Sequence, residues 1–268
     1  MRNLYITDLR RILKDKLFLI ACILGGVFAP LTPLLNKILF SALDLEELVG
    51  GMLDAKSMFF GAFLPGDNLG LVMPILISII VCKDFSQGTV RNKIISGKSR
   101  SAILLSHFLS SASVMCFLML AHGLLTLAFS LCFFPYQSGE FTMSDFGYFM
   151  LSLLFEMIVY LAIAAIVTFI ATISKNMGIC ILLYLALSFG LSLIGSIFMT
   201  AGAFLDENSA WFGIVEFINA LNFFTSNLIG GGVTYSAKDI LYILLSPVLT
   251  ILGSLLLGIR LFARKNLK

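Results

Sequence analysis

Charge is scarce in this chain: Lys, Arg, Asp and Glu together make up 12% of its residues, and it has one tryptophan, two histidines and six prolines. With 59% hydrophobic residues and a mean hydropathy of +1.01, there is too little polar surface to coat a water-soluble fold. His107 and His122 stand 15 positions apart without an HExxH pair or a carboxylate cluster, so they offer no metal-ligand spacing. A G-x-S-x-G elbow is missing, as is any acidic motif that would hold magnesium for phosphoryl chemistry. The five cysteines, Cys22, Cys82, Cys116, Cys132 and Cys180, lie in or beside apolar runs with no CxxC pair; they read as packing residues, outside any disulfide or zinc framework. No loop is long enough for a catalytic domain. These absences exclude the common enzyme classes and any cofactor held by this chain. A cleavable signal is not expected either, because the N-terminal polar region is long and Pro30 falls where a cleavage site would be sought.

What is present is a set of long apolar runs. About 20 residues of helix cross the roughly 30 Å of bilayer hydrocarbon. Six segments qualify, at 17–40, 64–83, 102–134, 146–172, 177–201 and 240–262, and they predict an all-α polytopic membrane protein with one transmembrane domain over 1–268. The net charge of +3 is unevenly spread. Fifteen of the 18 basic residues fall before the first span, between Lys83 and Arg100, at Lys175, and between Arg260 and Lys268. The loops between hold Asp44, Glu46, Glu47, Asp54, Glu140, Asp145, Asp206, Glu207 and Asp239. By the positive-inside rule, both termini and the loops at 83–100 and 173–177 are expected in the cytoplasm of a cell with a plasma membrane of this kind, and nucleic-acid binding explains the segregation less well.

Residues 1–16 are too charged to cross the membrane, yet Tyr5, Leu9, Ile12, Leu13 and Lys16 share one helical face. An interfacial helix is expected, with that stripe toward the acyl boundary and Arg10, Arg11 and Lys14 toward anionic headgroups of the membrane lipids. Glu156 is the sole acid deep inside a span, and reads either as a coupling or substrate-contact carboxyl or as a protonated helix contact. Ser188, Ser192, Ser196 and Thr200, at four-residue spacing in the fifth span, form a hydroxyl stripe that either packs helices closely or lines a polar path. Residues 210–230 are half apolar, are punctuated by Glu216, Asn219 and Asn222, and run into Gly230, Gly231 and Gly232. Counting them as a span would send Arg264, Lys265 and Lys268 to the outside, so an external or re-entrant helical hairpin is expected before the last span.

The most informative stretch is the basic interruption at 84–100. Thr89 is expected to cap a short helix over 90–96 and Gly97 to end it in the left-handed conformation, with Val90 and Ile94 on one side and Arg91, Asn92 and Lys93 elsewhere. Such a helix can grip another protein, or it can be a solvated loop whose charge only sets orientation. Asn92–Ser99, NKIISGKS, ends like a phosphate-binding loop, but Asn92 stands where the first glycine is required and no soluble strand precedes it.

The segment Cys82–Ser106, CKDFSQGTVRNKIISGKSRSAILLS, resembles the loop after the second span in permease subunits of type-2 ATP-binding-cassette exporters, the type V fold. The resemblance rests on Asp84, Gly88 with Thr89, Arg91, then Gly97, Ser99 and Arg100; the rest agrees in layout, apart from a long first outer loop that matches poorly. It implies a coupling helix seated in a cleft of a separate cytosolic ATPase, with Val90, Arg91 and Ile94 in contact and Asp84 and Arg100 anchoring the ends. It implies a bacterial plasma-membrane location and a second permease copy or related permease, with ATP and magnesium used by the partner ATPase. The cargo would be an antimicrobial or amphipathic peptide or drug, as in bacteriocin immunity, with Glu156, Ser188, Ser192, Ser196 and Thr200 along the path. Two other readings stay open: an ion-gradient-driven transporter or channel using Glu156, and a membrane scaffold that recruits a cytosolic partner.

Overall fold

The structure, a computed structural model, describes residues 2–43, 54–66, 68–136, 142–206, 209–224 and 235–265. Among these residues there are ten helices and no strand: α1 (Arg2–Lys14), α2 (Lys16–Ala42), α3 (Ala55–Gly61), α4 (Asn68–Ser86), α5 (Thr89–Ile95), α6 (Arg100–Ser130), α7 (Met143–Ile173), α8 (Met177–Ala203), α9 (Ala210–Leu221) and α10 (Ala237–Arg264). Six of them, α2, α4, α6, α7, α8 and α10, are long and apolar enough to cross a membrane. The protein is a multi-pass helical membrane protein.

The span ends are set by caps. Thr142 and Asp145 close a capping box at the start of α7, and Ser236 and Asp239 do the same for α10, which is why both helices begin three residues before the apolar runs that mark them in the sequence. Ser99 accepts the amide of Ala102 and starts α6. That helix ends at Ser130, short of the expected 134, where residues 131–133 turn over. The second span begins at Asn68 instead of 64, because a turn through Pro65 separates it from α3. The acidic residues Asp44, Glu46, Glu47, Asp67, Glu140 and Glu207, and Gly230–Gly232 of the expected hairpin, lie outside the described residues; the described part of that hairpin is α9.

Helix α7 is the centre of the bundle. It packs on α4, α6, α8 and α10, and Ala162, Ile163, Ala164, Ala165 and Val167 are fully buried all round it, as a helix enclosed by others must be. Helix α2 packs on α6 and α4, burying Ala21, Gly25, Ala29 and Pro33, one compact residue per turn, and turns Leu19, Ile23, Val27, Leu35 and Ile38 outward. Small residues at this spacing let backbones approach. His122 of α6 takes part in that seam, its Nδ1 lying 3.0 Å from the Gly25 carbonyl oxygen.

At the end of the bundle remote from α1, α3 drives Phe59 and Phe60 into the core against Phe149, and Phe63, in the turn that follows, packs on Phe59 and Tyr160. The first amides of α3 donate to the Pro135 and Tyr136 carbonyls, and Tyr160 of α7 donates to the Phe63 carbonyl at 2.9 Å. Gly123 makes room for this aromatic cluster: a Cβ added there would stand 2.5 Å from Phe63 and 3.3 Å from Phe59. Gly123→Leu is therefore expected to destabilise the protein by about 1–3 kcal/mol through overpacking, read as a lower thermal unfolding midpoint in detergent, with Gly123→Ala intermediate.

Candidate functional site

Helix α5 is a seven-residue rod fixed at both ends. Gly88, at φ 78°, occupies the cap position without a side-chain bond, so Thr89 is the first helical residue and not the cap expected of it. A left-handed cap residue favours glycine, which has no Cβ to clash. Gly97, at φ 84°, ends the helix as expected: its amide donates to the Ile94 carbonyl and that of Lys98 to the Lys93 carbonyl, the paired bonds of a Schellman motif.

The side expected to meet a partner is partly reversed. Val90 is 1% exposed and packs with Leu4, Ile103, Leu104 and Phe262, while Ile94 is half-buried beside them. The apolar pair sits on the protein's own body because α1, α6 and α10 converge there. Arg91, Asn92 and Ile95 form the free face, and Ile95 is 73% exposed.

Lys93 points inward, into a cluster of charges. Its ammonium lies 2.5 Å from Asp8 Oδ1, 3.9 Å from Asp84 Oδ2 and 3.4 Å from His107 Nε2. Ser106 donates to Asp8 Oδ2 at 2.6 Å, Arg11 pairs with Asp84, and His107 Nδ1 is 3.6 Å from Asp84 Oδ2. Asp8 is 1% exposed, and Asp84 and His107 are fully buried. Charges so far from water must be paired, and two carboxylates against Lys93 and Arg11 make the cluster neutral. Burial alone would raise the Asp8 carboxyl; the bonds from Lys93 and Ser106 and the Lys93 charge together hold it below its ordinary value. Asp8, Asp84 and His107 bring ligand atoms within 4.8 Å of one another, a spacing a metal ion could use. The Lys93 ammonium stands among them, so the chain supplies the cation itself.

Asp84 therefore lies beneath α5, where it joins α4 to α1 and α6. Arg100 clamps a different element from the one expected: its Nη1 donates to the carbonyls of Phe262, Ala263 and Lys265 at 2.7, 2.9 and 2.8 Å, capping α10. Lys265 in turn donates to the Thr172 carbonyl at 2.5 Å, at the end of α7. At the first turn of α2, Asp15 accepts Lys83 at 3.0 Å and the Leu17 amide at 2.9 Å. All these braces gather at one end of the bundle.

The sequence reading missed Asp8, Lys93, His107 and Ser106 as members of a site. The available signal was the four-residue spacing of Leu4, Asp8 and Ile12, the buried face of α1. The stripe expected to face lipid differs: Leu13 is exposed, Tyr5 and Leu9 are half-buried, and only Ile12 is enclosed.

The expected path residues are not brought together. Glu156 is buried in α7 and makes no hydrogen bond with a described residue. On α8, Ser188 is buried and bonds the Leu185 carbonyl, Ser192 is half-buried, and Ser196 and Thr200 are exposed and bond the carbonyls one turn back. The stripe's hydroxyls thus largely serve their own helix.

The fold and this cluster define a six-span membrane protein with a braced polar end. Within that class, the chain belongs to the family described as protein of unknown function (DUF2705), whose model matches residues 55–267 and takes in α3 to α10. No curated protein matches the chain.

Removing one member of a buried pair strands the other, so Lys93→Met is expected to cost about 3–5 kcal/mol. Asp8→Leu combined with Lys93→Met should cost less than the sum of the single changes, measured by unfolding in detergent. A carboxyl whose pKa is depressed on folding stabilises above its unfolded value, near 3.8, and loses that contribution as pH falls through the folded value. The stability gap between wild type and Asp8→Asn should accordingly be full at pH 6 and narrow below about pH 4.

Proposed function

We propose that this chain is the permease subunit of an ATP-binding-cassette exporter in a bacterial plasma membrane. In this reading α5 is the coupling helix, α1 the interfacial helix, α9 part of a re-entrant element, and both termini are cytoplasmic. The observation that carries the reading is a short, doubly capped helix that presents Arg91, Asn92 and Ile95 while Lys93 bolts its other side into a buried, neutral charge cluster. A rod held this way passes on a push, whereas a loose loop would absorb it. Movement of α5 reaches α1 through Asp8, and reaches α4 and α6 through Asp84 and His107.

A cytosolic ATPase subunit would seat on the free face of α5, hydrolyse ATP with magnesium, and move two permeases, identical or related, against each other. The cargo class the resemblance favours is an amphipathic or antimicrobial peptide or drug. A second reading, transport driven by an ion gradient, is favoured by one observation: Glu156 is buried without a hydrogen-bonding partner among the described residues.

Arg91→Asp with Ile95→Asp should cut copurification of an ATP-binding-cassette ATPase, coexpressed from an adjacent reading frame, at least about tenfold while the permease stays monodisperse, since loss of the anchor residues at an interface centre costs roughly 2 kcal/mol or more. Undiminished copurification would overturn the coupling assignment. Glu156→Gln should leave ATP-driven export near wild type; abolished, gradient-dependent transport would favour the second reading instead.

A further inference from the structure

The C-terminal end of α9 is a wedge between two spans. Asn222 donates from its side-chain amide to the Leu191 carbonyl of α8 at 2.7 Å, and Ser246 of α10 donates to the Leu221 carbonyl. Because α9 is bonded to both, α8 and α10 each lean on α7 without closing on one another. Beyond the wedge the gap stays open as a cleft of about 470 Å³. Phe169 and Ile170 of α7 form its floor, Leu183 and Leu187 of α8 one wall, and Thr250 and Ser254 of α10 the other. All three helices are long and apolar enough to cross a membrane, which puts the cleft among the spans of the bundle.

Its chemistry selects an occupant. A water molecule needs two to four polar partners, and this lining is mostly leucine, isoleucine and phenylalanine. Hydrocarbon fits that surface, and the volume falls in the range of about 300–1,000 Å³ typical of small-molecule sites. Four polar residues break the apolar lining, and two of them are already engaged: Asn222 bonds the Leu191 carbonyl and Ser246 the Leu221 carbonyl, whereas Thr250 and Ser254 make no side-chain hydrogen bond with a described residue. They leave two hydroxyls on the wall of an apolar cleft, one turn apart, for a guest that carries a polar group.

We propose that this cleft is a binding site for a single-chain amphiphile, with its hydrocarbon chain along Leu183, Leu187 and Ile170 and its polar group on Thr250 and Ser254. The site needs only the bundle in a bilayer. It stands whether the energy for transport comes from an ATPase or from a gradient, and its test uses neither.

The full-length protein in phosphatidylcholine nanodiscs is photolabelled with diazirine-bearing palmitic acid, and the sites are mapped by peptide mass spectrometry. Labelling of the Leu187 and Thr250 peptides is expected to saturate, to be competed by plain palmitic acid, and to fall at least fivefold in Ser254→Phe, while labelling of the outward α2 residues Leu35 and Ile38 stays linear and unchanged. Thr250→Val with Ser254→Ala, which adds no bulk, should raise the half-saturating concentration about three- to tenfold, the loss of one or two hydrogen bonds. Unchanged helicity and elution establish that the variants fold. Cleft labelling that never saturates, or that Ser254→Phe leaves intact, overturns the site. Saturable labelling by diazirine-bearing phosphatidylglycerol but not by the palmitic acid probe assigns the cleft to a bilayer lipid and overturns the single-chain occupant.

Discussion

The bond between Lys93 and Asp8 is the constraint on which the braced end of the molecule depends. It joins the seven-residue α5 to α1 across 85 residues, with the Asp8 carboxylate buried and the Lys93 ammonium largely covered. A paired ammonium and carboxylate in such a setting can add little net stability over an apolar pair, but either alone is costly. The same holds for Arg11 and Asp84. The cluster therefore acts as a registration device: α1, α4, α5 and α6 meet in the one arrangement that leaves no charge stranded. Hydrophobic packing of Leu4, Val90, Ile103, Leu104 and Phe262 next to it supplies the non-directional attraction that the charges then orient.

Around this end the bundle is built unevenly. Helix α7 is enclosed, while α2, α8 and α10 each bury only a narrow side and turn rows of leucine, isoleucine and phenylalanine outward. In hydrocarbon that division carries little penalty, because lipid tails solvate such side chains as well as a core does. What holds the outer helices is more local: one compact residue per turn on α2, the wedge of α9 between α8 and α10, and the carbonyl clamps of Arg100 and Lys265 at the ends of α10 and α7. The last two also offset the partial negative charge that accumulates at a helix C-terminus.

How much of this was legible beforehand follows from which forces are periodic. Apolar runs of about 20 residues report on bilayer thickness, so the six spans could be read to within a few residues. Gly97 was legible because a left-handed cap strongly favours glycine. Thr89 misled because Gly88, one position earlier, took the same role through its own conformational freedom. Val90 and Ile94 were rightly placed on one side of α5, but periodicity does not say whether an apolar side faces a partner or the protein's own body. Asp8 was the deeper miss. A carboxylate on the inward face of an amphipathic helix looks like an interruption of the pattern until Lys93 and Ser106, 85 and 98 residues away, are seen to meet it.

A neutral, largely buried cluster also leaves a mark on how such sequences can drift over evolutionary time. A lone replacement at Asp8, Asp84, Arg11 or Lys93 leaves an opposite charge without its counterpart, so tolerated histories run through paired exchanges, both members lost to apolar residues or both signs swapped. In an alignment of relatives these positions would then vary together or not at all, although they are scattered over three separate helices, α1, α4 and α5.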